Sequence, residues 1–310
     1  MKSANNIVYI DNRLSDRMYN YYGAFYYGLQ KINVNASNIG GYNYERLKTA
    51  EAIVFGLGFF DSNPAGHGKL DSIEELPGQK IAILHKIKNF YEQKIEFCKL
   101  NKIDKILTTT PFADKIFKDS GIPTFTLPYC ANSNVFKPLS EEKKVYDIGF
   151  SGALHAGKKL GCEDELQNIR VKIHKKLSER KDLKLFWNGT DSIRTRIHNN
   201  NDYVKKINQC KLWLCVTGPS FDVNPRFHEV MLCQTVPFMN SIPTSYYDTF
   251  YEDKKNCVIF KNDLSDLNAQ LDHALLNYEN ISKNAFDFGL KNCTRSSRAQ
   301  DLLNIINKNE

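Results

Sequence analysis

Short apolar runs and longer helical periods alternate along almost the whole chain. In the first half, Ile7 to Ile10, Ala52 to Phe55, Ile81 to Leu84, Ile106-Leu107 and Phe125 to Leu127 read as strands covered on both faces. Between them the pattern predicts helices around 15–31, 42–50, 87–101 and 111–119. The last is closed by Gly121 and Pro123: glycine takes a left-handed cap and proline cannot continue a helix. Residues 131–144, ANSNVFKPLSEEKK, are polar, contain proline and lack periodicity, so they are predicted as a linker. A second alternation follows, with strands at 146–150, 183–186, 212–216, 236–238 and 258–260 and helices around 163–179, 201–209, 225–233 and 264–277. A closing helical stretch, 281–308, has no strand after it.

Two consecutive β–α arrays joined by a linker imply an α/β protein with two doubly wound parallel sheets. The expected boundaries are 1–135 and 136–290, with 291–310 as a C-terminal helix packing back on the first domain. Right-handed crossovers put the post-strand loops on one edge of each sheet, and a cleft between two such edges is where a ligand would bind.

Composition changes this picture little. The 310 residues exceed what one core usually serves, and 42% hydrophobic with 25% charged residues is ordinary for a soluble globular protein. No apolar run approaches the roughly 18 residues a membrane span needs. The N-terminus has a short apolar patch and no small-residue cleavage site, so it reads as a first strand, not a signal peptide. The eight cysteines form no CxxC and several lie inside apolar runs, which predicts buried, reduced thiols and a cytoplasmic compartment. The net charge of +7 is spread through the chain. That argues against a nucleic-acid binder, which concentrates charge and interleaves aromatics. It suits anionic small molecules or a weak peripheral attraction to an acidic membrane surface.

The polar singularities fall in the post-strand loops. SGALHAGKKLGCEDE, 151–165, places three glycines and the lysines Lys158 and Lys159 ahead of a helix. Its backbone N–H groups could approach an anion, although it is neither a Walker A nor a GxGxxG sequence. Arg170, further along, reads as a surface arginine. Trp187-Asn188-Gly189-Thr190 follows the next strand, where Gly189 either lets a ligand approach the backbone or simply makes a turn. DVNPRFHEVMLCQ then opens with Asn224 as N-cap and Pro225 in the first turn, and Arg226 and Glu229, three apart, share a face. As a surface ion pair they would contribute little; at a sheet's ligand-binding edge, an arginine can pair with a diphosphate and a carboxylate can take the hydroxyls of a ribose. His228 lies between them and is expected to be structural. In the first half, the predicted long loop 56–79 contains Asp61 and His67, and His85 ends the next strand; these are the candidates for acid–base work. No DxD, HExxH or GxSxG is present, so metal-assisted and triad hydrolysis have weak support.

Four segments in order carry a resemblance. TTTPFADKIFKDSGIPTFTLPYCANSNVFKP (108–138) resembles the crossover of group 1 glycosyltransferases of the GT-B fold. VYDIGFSGAL resembles the strand and glycine loop that open their donor domain, and NPRFHEVMLCQTVPF their R-x-x-E helix with its following turn and Val-Pro. The closing CTRSSRAQDLLNII resembles the tail of the spore-coat-maturation-like branch. The resemblance implies two Rossmann-like domains facing a central cleft (GT-B). It implies sugar transfer from a nucleoside-diphosphate sugar to a glycan, protein or small-molecule hydroxyl, with retention, without a metal and without a prosthetic group. The donor would then meet Ser151, Gly152, Lys158, Lys159, Gly189, Asn224, Arg226 and Glu229, and the acceptor would meet Asp61, His67 and His85. Which of the two lysines answers to the family's lysine stays open. The chain departs from the pattern at Gln234, where the family often has glycine; a larger side chain there would reshape the donor pocket. Asp222 stands, if anything, for the first acid of a longer family motif, which puts direct sugar contacts in doubt. The alternatives are a nucleotide-sugar epimerase of the same fold and a non-catalytic nucleotide- or polyanion-binding protein.

Overall fold

A computed structural model describes residues 6–14, 21–62, 68–86, 89–155, 166–192, 195, 197, 200–218, 221–242 and 245–308. The chain divides into two compact units, 1–130 with 295–310, and 131–294.

The first unit is built on six parallel strands: β1 (Ile7–Ile10), β2 (Ala36–Ile39), β3 (Ala52–Phe55), β4 (Gln79–Leu84), β5 (Lys105–Thr108) and β6 (Thr124–Thr126), in the order β2-β1-β3-β4-β5-β6. Successive side chains alternate between two cores, as the two-residue period of a strand requires. Ile7, Tyr9, Val54, Ile81, Ile83 and Leu107 pack with Phe25 and Leu29 of α1 (Ala24–Lys31) and Leu302 and Ile306 of α11 (Arg295–Asn307). Val8, Ile10, Ile53, Phe55, Leu84 and Ile106 pack on the other face with Ile95 and Phe97 of α4 (Tyr91–Leu100) and Ile116 of α5 (Ala113–Ser120). Gly121 ends α5 with φ +72, the left-handed cap its position predicts.

Three features differ from the pattern. β2, with sequence ASNI, was not predicted, because an edge strand with half-exposed positions needs no apolar run. The segment 56–79 is not one loop. Leu57–Ser62 forms a helix, α3, whose Phe59 and Phe60 pack on Phe97, and it carries Asp61. The closing helix is two: α10 (Tyr278–Asn292) and α11, broken at Cys293 and Thr294, where the second unit ends.

The second unit has five parallel strands: β7 (Tyr146–Gly152), β8 (Leu185–Gly189), β9 (Cys210–Cys215), β10 (Val236–Asn240) and β11 (Val258–Phe260), ordered β11-β10-β9-β7-β8. α6 (Ile169–Glu179) and α9 (Leu267–Leu276) pack against Ile148, Leu212 and Leu214 on one face. α7 (Asn200–Asn208) follows β8, and α8 (Arg226–Leu232) links β9 to β10. No helix among the described residues is long and apolar enough to cross a membrane. The seven described cysteines are buried thiols outside any disulfide.

Each sheet contains one place where the strand order reverses: between β1 and β3 in the first, and between β7 and β9 in the second. The crossovers leave in opposite directions there, so the loops part and open a crevice at the carboxyl ends of the strands.

Candidate functional site

At the second reversal, Arg226 is held on several sides. α8 begins at Arg226 itself, and the Asn224 Oδ1 accepts from the Arg226 N–H at 3.1 Å, which sets the first turn. The guanidinium lies 5.5 Å over the Phe150 ring. Its Nε donates to the Tyr203 hydroxyl at 3.3 Å. Gly152, at the end of β7 with φ +152, has its backbone against Nη2; a Cβ there would stand 2.7 Å away. Nη1 is buried and has no hydrogen-bond partner among the described residues. A buried charged donor without a partner is costly, and an oxyanion ligand is what would satisfy it.

Glu229, one turn on, retains some exposure. Burial pushes its carboxyl up to about 7, with Arg226 and the Tyr203 hydroxyl partly offsetting this. His228 is fully buried and stacks toward Tyr251, a core position. Ser151 is buried and donates to Asn188 Oδ1 at 3.1 Å; Gly152 and Gly189 are register partners across β7 and β8. Of the donor candidates, Gly152, Asn224, Arg226 and Glu229 therefore converge. Ser151 and Gly189 border them on the same strand ends. Lys158, Lys159 and His67 lie outside the described residues.

Two features differ from expectation. The backbone N–H groups of Leu154 and His155, in the glycine-rich loop, both donate to Asp191 Oδ1, at 3.0 and 2.8 Å. A side-chain carboxylate already occupies part of that anion cradle. Arg170 is not a surface arginine: it is buried, and it donates to the carbonyls of Ala153, Val216 and Thr217 at 2.6, 3.2 and 3.2 Å. It ties the loop after β7 to the loop after β9. Gln234 also needs correction. It follows α8 at the opposite end from Arg226, at φ +51, and lines a separate pocket of about 570 Å³ with Pro138, Lys144, Asn208 and Tyr278. Its left-handed backbone explains why glycine suits the position; it does not shape the Arg226 site.

At the first reversal a second polar cluster gathers. Asp61 Oδ2 accepts from the Tyr22 hydroxyl at 2.6 Å and from Lys86 Nζ at 2.9 Å, and stands 3.3 Å from His85 Nε2. Burial alone would raise the Asp61 carboxyl, but these donors outweigh it and hold it well below the usual carboxylate range. His85 is fully buried, and burial pushes it down to about 4, against the pull of Asp61. Arg13 donates to the Asp61 carbonyl at 2.9 Å. Asp11, at the end of β1, accepts from the Arg13 and Gly58 N–H groups at 2.8 Å each, and burial pushes its carboxyl up to about 6.

Asp61 and His85 thus come together as the sequence suggested. Asp11, Arg13, Tyr22, Lys86 and, in the second unit, Phe150 and Tyr203 were missed. Asp11 could have been found as the acid directly after the first apolar run. Nothing near Tyr203 in sequence connects it to Arg226.

These two parallel sheets, each with its crevice, define the GT-B fold of two Rossmann-like domains, and solved structures agree. The chain is similar to Anabaena Alr3699/HepE in complex with UDP, with TM-score 0.58 and 9% identity over 97% of this chain and 99% of that one. It is similar to sucrose-phosphate synthase from Thermosynechococcus elongatus, with TM-score 0.55 and 9% identity over 84% and 74%. It is also similar to an S. aureus TarM variant in complex with fondaparinux, alpha-GlcNAc-glycerol and UDP, with TM-score 0.51 and 15% identity over 93% and 59%. At these identities the likeness shows the fold. In sequence, residues 160–304 are similar to the family described as glycosyl transferase-like, a stretch that spans most of the second unit. No curated protein matches the chain significantly.

Proposed function

We propose that this protein is a metal-independent, retaining glycosyltransferase of the group 1 kind that draws on a nucleoside-diphosphate sugar. The observation that carries the reading is the Arg226 guanidinium, fixed at the strand reversal with a buried Nη1 unsatisfied. Its fork fits a diphosphate, and Glu229 is one turn away to accept from ribose hydroxyls. UDP accompanies Alr3699/HepE and TarM in their structures and is the first nucleotide to try.

In the transfer, the bond from the anomeric carbon to the β-phosphate oxygen breaks, and a bond to the acceptor oxygen forms. The leaving diphosphate keeps the electron pair. Arg226 stabilises that developing charge from a fixed position, so no reorganisation is needed as the bond breaks. The Asp61 cluster in the first unit binds acceptor hydroxyls. Asp61, held far below the usual range, and His85, buried and near 4, are both weak proton acceptors at neutral pH. They orient the acceptor, and its proton goes to the departing phosphate oxygen. That route needs no protein base and fits retention. Within this reading, the resemblance of the tail at 293–306 favours the spore-coat-maturation-like branch.

The test is turnover of a panel of UDP-, GDP- and ADP-sugars with mixed glycan acceptors, the product anomer being read by NMR. A sugar product with retained configuration supports the proposal. Conversion of donor sugar without any acceptor would turn the reading to an epimerase. Absence of binding to all three nucleoside diphosphates would remove it.

A further inference from the structure

We infer that Tyr203 is a positioning residue: it fixes which edge of the Arg226 guanidinium faces the phosphates. The inference rests on the donor-site reading above. A guanidinium can meet an oxyanion through its Nε–Nη edge or through its two Nη groups. Tyr203 occupies Nε, by accepting from it at 3.3 Å. Phe150 lies under the plane, 5.5 Å from Cζ, and Gly152 backs against Nη2. The end formed by Nη1 and Nη2 is what remains for a ligand, and Nη1 is the donor without a partner among the described residues.

The Tyr203 oxygen accepts from Arg226 Nε, which leaves that nitrogen no proton for a ligand. Burial pushes the phenol's own ionisation well above its usual range, so it stays a neutral hydroxyl throughout neutral pH. One hydroxyl therefore orders the phosphate-binding cation. The ring is held independently. Tyr203 is 6% exposed on α7 and packs edge-on to Trp213 at 5.7 Å and to Phe136 at 6.3 Å. Tyr203→Phe thus removes the hydroxyl and keeps the packing.

The experiment compares wild type with Tyr203→Phe in two ways. Without ligand, NMR follows exchange of the Arg226 Nε proton with solvent, which is expected to quicken in the variant because its acceptor is gone. With ligand, calorimetry compares UDP with uridine. The variant is expected to bind UDP about tenfold more weakly and uridine within about twofold, because the lost order concerns the phosphate fork. Unchanged exchange of the Nε proton together with unchanged UDP affinity overturns the inference. Equal losses for UDP and uridine also overturn it, since that is what damaged packing would give. If wild type binds none of UDP, GDP and ADP, the donor-site reading fails, and the ligand-free exchange still decides whether Tyr203 holds Arg226.

Discussion

Gly152 lies directly behind the guanidinium of Arg226, close enough that a Cβ at residue 152 would stand 2.7 Å from Nη2. The glycine also has φ +152, a conformation side chains rarely adopt. Gly152→Ala is therefore expected to push the arginine off Phe150 and strain the end of β7. Stability should fall by about 1–3 kcal/mol, read by urea denaturation, and UDP affinity should fall by about tenfold. A variant that binds UDP normally would show that the close approach has no part in the site.

Glu229 gives a pH signature. Its carboxyl is pushed up to about 7 in the free protein, so it is mostly protonated on the acid side of neutrality. Ribose hydroxyls donate best to the ionised form. Uridine affinity is expected to rise as pH increases through about 7 and then level off, and Glu229→Gln should flatten the curve. The stability sign is opposite. Between 4.5 and about 7 the native protein holds a proton that the unfolded chain releases, so this group's contribution declines as pH rises across that range.

His85 acts in the other direction. Buried and lowered from 6.5 to about 4, it stays neutral while the unfolded chain takes up a proton. Stability is lost as pH falls from about 6.5 to about 4, by up to roughly 3 kcal/mol from this group. Asp11, raised from 3.8 to about 6, partly masks the effect, because its native form gains a proton over 3.8 to 6. His85→Gln leaves Asp11 in place, so the difference between variant and wild-type unfolding curves isolates the histidine. Curves that stay parallel from pH 7 to 4 would contradict its assignment as a buried neutral group.

Asp191 holds the Leu154 and His155 N–H groups that a phosphate would otherwise use. Asp191→Asn keeps a carbonyl acceptor for the loop and removes the negative charge. Diphosphate binding should tighten several-fold at low salt and less at high salt, since screening weakens repulsion between exposed charges. Weaker binding in the variant would mean that the carboxylate serves the ligand instead of competing with it.

The strands were legible because most are covered on both faces, and continuous apolar runs such as Ile7 to Ile10 announce that. β2 was not, because ASNI sits at an edge with one neighbouring strand. Arg226 and Glu229 could be singled out because their helix directly follows a buried strand. Their environment could not be read, because Phe150 and Gly152 come from β7 and Tyr203 from α7, two segments that only the strand order brings to Arg226. Arg170 misled for the same reason. A helical arginine looks solvated until the loops whose carbonyls it binds fold over it. Gln234 drew attention as a missing glycine, and the signal was genuine, but its cause is a left-handed turn at the far end of α8.

The central claim is that Arg226 is a phosphate fork, and calorimetric titration of wild type, Arg226→Lys and Arg226→Ala with UDP tests it most directly. A lysine keeps the charge and loses the planar fork. The account predicts that Arg226→Lys binds UDP at least about tenfold more weakly, that Arg226→Ala binds about a hundredfold more weakly, and that uridine binding is nearly unchanged in both. UDP affinity equal to wild type in Arg226→Ala would contradict it.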